Sequence, residues 1–424
     1  MKGEGVSEAK QIVVNPENEW RLRAPKVQGW ARGVRPGANK YFIVSCDTHL
    51  MPPVTLFRDR LDKKWHDKLP RVEKRENGER YIVMPGARPE RLIEFPFAGE
   101  DLLRSKSGGD SMAIGGEGSE VSLQRIADQD LDGVDAEVIF PNGPALLMWA
   151  SGDNEFVGAQ CRIWNDWAWD VCGPYSQRCS PAAALATVDI EGAIREVERV
   201  AKKGYRILTL PCKPIFGEHD VAHINYNLPV FDPLWAAIQD HDLSITYHVS
   251  TGKDPRAARG NGGAIINYVV HSLAPTMEPI VSMCSSGVFE RFPKLRVATI
   301  EADAGWVPWM MQKMDEAYRK HHFWVRPKLK ELPSQYYKNN CFASFGEDRA
   351  AIALLESFGL QDNLMWANDY PHHEGSWPHS AEAIERTFND GLTEQTRAKL
   401  LGLNAARAFR FELPERYRAQ PGRP

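Results

Sequence analysis

What this 424-residue sequence lacks narrows its function at once. Its seven cysteines (46, 161, 172, 179, 212, 284 and 341) form no CxxC pair and lie scattered through apolar stretches. That usage suits reduced thiols and argues against a disulfide framework. No run approaches 18 consecutive apolar residues, so no transmembrane helix is expected, and the opening MKGEGVSEAK has no apolar signal core. We therefore expect a cytoplasmic protein that uses no membrane. A basic excess is also missing: 52 Lys plus Arg stand against 56 Asp plus Glu, a formal charge of −4. Polyanion binding needs clustered positive charge, so nucleic acid is not an expected partner. Neither a GxGxxG after a strand nor a P-loop occurs, and no internal repeat is visible.

What is present is an ordinary globular balance, 43% hydrophobic and 25% charged, with the means to bury a large core. Residues 1–40 are polar and broken by Pro16, Pro25 and Pro36, which predicts an arm rather than a domain. The β-rich run Tyr41 to Cys46 follows and stops at Asp47-Thr48-His49. Residues 54–121 are charged and Gly-rich, as a long surface insertion or lid would be.

From about Ser122 strands and helices alternate. The first helix carries Leu123, Ile126, Ala127 and Leu131 on one face, which predicts that face to be the buried one. Strand starts are read at 41, 136, 183, 207, 243, 295, 341 and 363, nearly all separated by helices. Eight such strands predict a closed parallel (β/α)8 barrel over 41–410, with an N-terminal arm, the insertion after strand one, and a C-terminal tail over 411–424.

A barrel of this kind builds its active site at the C-terminal ends of its strands. Strand one ends in Asp47-Thr48-His49, where period-2 alternation points Asp47 and His49 the same way. Strand five ends in His248, strand six in Glu301, and strand eight just before Asp369-Tyr370-Pro371-His372-His373. Imidazoles and carboxylates converging on one axis are the ligand types of a divalent transition metal. Of the two adjacent histidines, one is expected to face the site, and His372 is the candidate. His271, in a helix, and the pair His321-His322, after one, are read as packing or surface residues. The loop 250–263, with Lys253, Arg256 and Arg259, is a candidate clamp for a substrate carboxylate, a solvated flexible loop being the more ordinary reading. Trp164, Trp167 and Trp169 suit core packing or a subunit contact.

These segments, with Asp128 to Asp135, Pro229 to Trp235, Ser286 to Pro293, Glu301 to Trp306, Asn368 to His372 and Asn404 to Arg407, together resemble the amidohydrolase-related hydrolases and decarboxylases over about 41–409. The resemblance implies a distorted barrel with metal on Asp47, His49, His248 and Asp369, the last also handling a proton. It also exposes two departures: Asp47 and Glu301 stand where many relatives carry histidine. With Asp47, Glu301 and Asp369 ionised and His49 and His248 neutral, the ligands sum to −3, leaving −1 with one divalent ion and +1 with two. An oxygen-rich set moves the expected preference from zinc toward iron or manganese, with one or two ions per chain.

The leading expectation is a metal-dependent hydrolase or non-oxidative decarboxylase of a small carboxylate-bearing molecule, with Asp369 and His372 handling protons. A dinuclear iron or manganese enzyme that activates dioxygen is the alternative. A third reading is a non-catalytic subunit partnering a homologue. A homodimer is the expected assembly, a hetero-oligomer with a homologue the other option, and the aromatics of Tyr318 to Trp324 are interface candidates.

Overall fold

The structure is a computed structural model; it describes residues 40–53, 55–83, 89–91, 119–187, 189–213, 225–252, 258, 260–321, 323–372, 374–388 and 391–418. The loop cations Lys253, Arg256 and Arg259, together with His322 and His373, lie outside these residues, as does the arm up to residue 39.

Eight parallel strands form one sheet: β1 (Val44–Leu50), β5 (Ala136–Pro141), β6 (Cys179–Ala184), β7 (Ile207–Leu210), β8 (Ser244–His248), β9 (Arg296–Ile300), β10 (Cys341–Phe345) and β11 (Leu364–Trp366), paired in that order. The sheet curls until its edges meet: the His49 amide donates to the Tyr370 carbonyl at 2.7 Å and the Asp369 amide to the Asp47 carbonyl at 3.1 Å. The predicted (β/α)8 barrel is present. Its interior is lined by Val44, Cys46, Val138, Phe140, Ala182, Ile207, Ala298, Ile300 and Met365, one buried cluster closed by Phe409 and Tyr417 from the C-terminal segment. Alternate residues such as Leu208, Ile245, Val297, Ala343 and Trp366 face outward into a second cluster under the helices. All seven cysteines are buried and none is in a disulfide, and no described helix is long and apolar enough to cross a membrane.

Two strands differ from the sequence expectation. The third barrel strand starts at Cys179 rather than Ala183, pairing Cys179 with Glu137 and Pro181 with Ile139. A proline inside a strand hides that strand from propensity. Strand one starts at Val44 rather than Tyr41 and includes the Asp-Thr-His segment, ending at Leu50. The described residues of the 54–121 insertion include an antiparallel meander of β2 (Arg71–Lys74), β3 (Arg80–Val83) and β4 (Glu90–Arg91). Every residue of β2 is exposed, so no hydrophobic alternation announces it.

The first helix after the insertion, Ser119–Asp132, reverses the expected orientation. Leu123 and Ala127 are exposed and Ile126 and Leu131 only half-buried, whereas Arg125, Asp128, Gln129 and Asp132 are buried. The apolar residues that marked the helix do not form its inner face.

Candidate metal centre

Four elements deliver the site. On β1 a bulge between Ser45 and Thr48 shifts the pairing with β5 by one residue. Without that extra residue, strict alternation from the inward-facing Val44 and Cys46 would turn Asp47 and His49 outward. With it, both reach the axis, while Thr48 points out to donate to the Val138 carbonyl. His248 ends β8 beneath the ring of Phe140, 4.8 Å between centroids. Glu301 and Asp369 follow β9 and β11 in the left-handed region, at φ +58° and +53°, a conformation costing non-glycine residues on the order of 1 kcal/mol or more. Surrounding bonds hold it: Ser344 Oγ accepts from the Glu301 amide at 3.0 Å. Gly375 lies so close behind Asp369 that a Cβ there would sit 2.5 Å from the Asn368 carbonyl oxygen.

The donor atoms converge. His49 Nε2 lies 3.4 Å from Asp47 Oδ1, 3.1 Å from Glu301 Oε2 and 3.3 Å from Asp369 Oδ1. His248 Nε2 lies 3.3 Å from Asp47 and 3.1 Å from Glu301. Both imidazoles turn Nδ1 to a backbone carbonyl, His49 toward Pro141 at 3.3 Å and His248 toward Val249 at 2.8 Å. That is how a protein fixes the ring so that Nε2 faces a metal. His372 stacks on His49, centroids 4.0 Å apart, with Nδ1 2.8 Å from Asp369 Oδ1.

These residues form two overlapping groups, Asp47-His49-His248-Glu301 and His49-Glu301-Asp369-His372, each with its donor atoms within 4.8 Å of one another. All five expected ligands therefore meet, and His372, expected only as a proton-handling residue, joins them as a donor. Among the described residues, no other histidine does. His271 turns Nδ1 to its helix neighbour Asn267 at 3.0 Å, and His321 stacks on the exposed Trp324. Trp164 and Trp167 are core residues.

The donor set fits a divalent cation on two counts. Asp369 Oδ1 and His372 Nδ1 are buried and, despite their proximity, meet at angles that close no hydrogen bond; buried polar atoms left so call for a missing partner. The electrostatics agree. Burial opposes charge on His248, yet Glu301 and Asp47 push it up to about 9. Burial likewise works against His49, but Asp369, Glu301 and Asp47 hold it well above the ordinary imidazole range. Burial also opposes ionisation of Glu301, and the two imidazoles nevertheless keep it far below the usual carboxylate range. Asp47 is raised by burial, with His248 and His49 opposing. The carboxylates demand a cation, and a metal competes with protons for that role.

Behind the cluster lies a buried polar layer that sequence reading did not find. Arg125 donates through Nε and Nη2 to both oxygens of Glu137 at 2.9 Å, through Nη1 to the His49 carbonyl at 2.6 Å, and through Nη2 to Thr48 Oγ1 at 3.0 Å. Gln129 donates to Glu137 at 2.7 Å, and Asn368 donates to Gln129 and Asp132 at 3.1 Å each. The one available signal was the spacing of Arg125, Asp128, Gln129 and Asp132 at i, i+3, i+4 and i+7, with Glu137 isolated in an apolar strand.

Comparison with solved structures agrees with this architecture. An amidohydrolase from Mycobacterium avium subsp. paratuberculosis K-10 aligns with a TM-score of 0.68 at 18% identity, covering 88% of this chain and 100% of its own. A 5-carboxyvanillate decarboxylase from Sphingomonas paucimobilis gives 0.59 at 22% identity, with 88% and 99% covered. A dihydroxybenzoic acid decarboxylase from Polaromonas sp. JS666, solved with manganese and the inhibitor 2-nitroresorcinol, gives 0.59 at 18% identity, with 88% and 98% covered. At such identities the likeness shows the fold. The amidohydrolase family model goes further, matching residues 122–411, well over half of the sequence from the first barrel helix to the last, and the chain belongs to the amidohydrolase family of enzymes.

Proposed function

We propose that the protein is a metal-dependent carboxy-lyase or hydrolase of a small carboxylate-bearing molecule, with non-oxidative decarboxylation of an aromatic acid the favoured reaction. The observation that carries this reading is Asp369 Oδ1, buried beside the ligand cluster, without a hydrogen bond, and 2.8 Å from His372 Nδ1. A carboxyl so placed serves both as donor to the ion and as proton carrier toward substrate. Two of the similar structures are decarboxylases of aromatic carboxylates, and one held manganese.

Asp47, His49, His248 and Glu301 would hold the ion and Asp369 would complete the set, with iron or manganese favoured by the oxygen-rich donors. The ion supplies Lewis acidity that orients substrate oxygens, or lowers the pKa of a bound water toward about 7. In decarboxylation, Asp369, with His372 as its proton partner, protonates the ring carbon. The bond to the departing carboxylate breaks, carbon dioxide leaves, and the electron pair left on carbon takes that proton. In hydrolysis the same carboxylate accepts a proton from water and passes it to the leaving group. Asp369→Asn is expected to abolish turnover while the protein stays folded and keeps its metal, checked by carbon dioxide release from a hydroxybenzoate panel and by elemental analysis. Undiminished turnover would sink the assignment.

The overlap of two donor groups on His49 and Glu301 favours one second reading, a dinuclear iron or manganese centre that activates dioxygen. About two ions per chain, with turnover lost under anaerobic conditions, would establish it; full turnover without oxygen would remove it. For assembly we infer an oligomer that covers the exposed Phe323 and Trp324, testable by sedimentation.

A further inference from the structure

The helix Ser119–Asp132 buries a stripe of polar side chains, and that stripe meets the two strand ends carrying ligands where the barrel closes. Arg125 grips β1, through the His49 carbonyl and Thr48 Oγ1. The Asp128 carboxylate accepts from Tyr370 Oη at 2.6 Å, and its carbonyl from Trp377 Nε1 at 2.9 Å. Gln129 and Asp132 hold the Asn368 amide, Asp132 also accepts from Ser380, and Asn368 Oδ1 in turn accepts from Ser45 Oγ at 2.8 Å. Residues 48, 368 and 370 flank His49 and Asp369, so the helix restrains the backbone on both sides of the closing seam. The Tyr370 ring lies under the Arg125 guanidinium, 4.9 Å from centroid to carbon.

Stability alone does not account for such a layer. A buried ion pair recovers little beyond its desolvation cost, and replacing one by well-packed apolar residues is often neutral or stabilising. What it supplies is direction. Four of the five N–H bonds available to a guanidinium are committed, two to Glu137 and two to β1, and the planar fork fixes where the His49 carbonyl lies. That carbonyl belongs to the residue whose imidazole is common to both donor groups.

We propose that this stripe sets the metal affinity of the centre, with Arg125 as its principal positioning residue. The inference rests on the proposed metal site and goes beyond it by assigning control of that site to a helix that contributes no ligand.

The test is manganese binding to metal-stripped full-length protein by titration calorimetry, alongside thermal unfolding of the same metal-free samples. The double variant Arg125→Met/Glu137→Met removes the pair without leaving an uncompensated charge. It is expected to unfold near the wild-type temperature while binding manganese roughly 10- to 100-fold more weakly, the usual size of an outer-shell loss. Arg125→Lys keeps the charge without the fork and is expected to recover only part of that affinity. Should the double variant fail to fold, Thr48→Val decides: it removes one acceptor of the clamp at constant shape and is expected to weaken binding several-fold. Wild-type manganese affinity in a folded double variant, or in Thr48→Val where that variant decides, overturns the inference. Failure of the wild-type protein to bind manganese, iron or zinc would instead overturn the proposed metal site.

Discussion

Two helices of fourteen residues, Ser119–Asp132 and Ile190–Lys203, invite comparison because they occupy similar places and are built on opposite rules. The later helix is conventional. Asp189 caps its start by accepting from the Gly192 amide, Gly204 ends it at φ +108°, and Ala193, Val197 and Val200 at i, i+4 and i+7 enter the core. Its one buried carboxylate, Glu196, pairs with Arg199 at the margin. The earlier helix buries Arg125, Asp128, Gln129 and Asp132 and leaves Leu123 half exposed. The conventional helix lies between β6 and β7, which bring no donor to the cluster; the inverted one backs β1 and the segment after β11, which bring four. An apolar face supplies stability through non-directional contacts, whereas a polar face fixes direction, and strand ends that must bring donor atoms together need the latter.

The sharpest way to break the comparison is a polar truncation on the inverted helix. Arg125→Met alone leaves Glu137 charged and buried, and is expected to cost about 3–5 kcal/mol in chemical denaturation. A cost below 1 kcal/mol would mean that the ion pair is marginal. Val197→Ala on the conventional helix removes two buried methyl groups, expected to cost roughly 2 kcal/mol, with manganese affinity unchanged; a parallel loss of metal would erase the distinction between the two helices. A smaller, pH-dependent effect belongs to Asp132, which burial pushes up to about 7 against hydrogen bonds from Ser380 and Asn368. A carboxyl raised on folding stabilises the native state below its ordinary pKa and loses that contribution as pH rises through about 7. Asp132→Asn should therefore gain stability relative to wild type between pH 5 and pH 8, read as a growing difference in Tm; a constant difference would show that Asp132 does not titrate in the folded protein. Smallest of all, Arg195→Ala, at an exposed position on the conventional helix, should stay within about 0.5 kcal/mol of wild type.

These two helices also mark how far sequence reading reached. In the conventional one the apolar spacing of Ala193, Val197 and Val200 coincides with the buried face, so a local pattern is enough to describe it. The inverted one was located correctly and oriented wrongly, because periodicity reports where apolar residues lie and is silent on which face packs. The members of the cluster were legible: strand-end position and residue type pointed to Asp47, His49, His248, Glu301 and Asp369, which the structure brings together. His372 was placed near the site, but a stacking contact with His49 is a tertiary fact. The meander β2–β4 escaped because an exposed strand held by backbone bonds leaves no hydrophobic signature.

The strand-helix alternation, the barrel and the residue types at its C-terminal rim follow from local periodicity and strand-end chemistry, which are written in short windows of the chain. Three features are visible only in the folded chain: a one-residue bulge turns Asp47 and His49 inward, two donor groups share His49 and Glu301, and an ion pair between Arg125 and Glu137 stands behind them. Those features depend on register and on contacts between residues far apart in the chain, which no local pattern encodes.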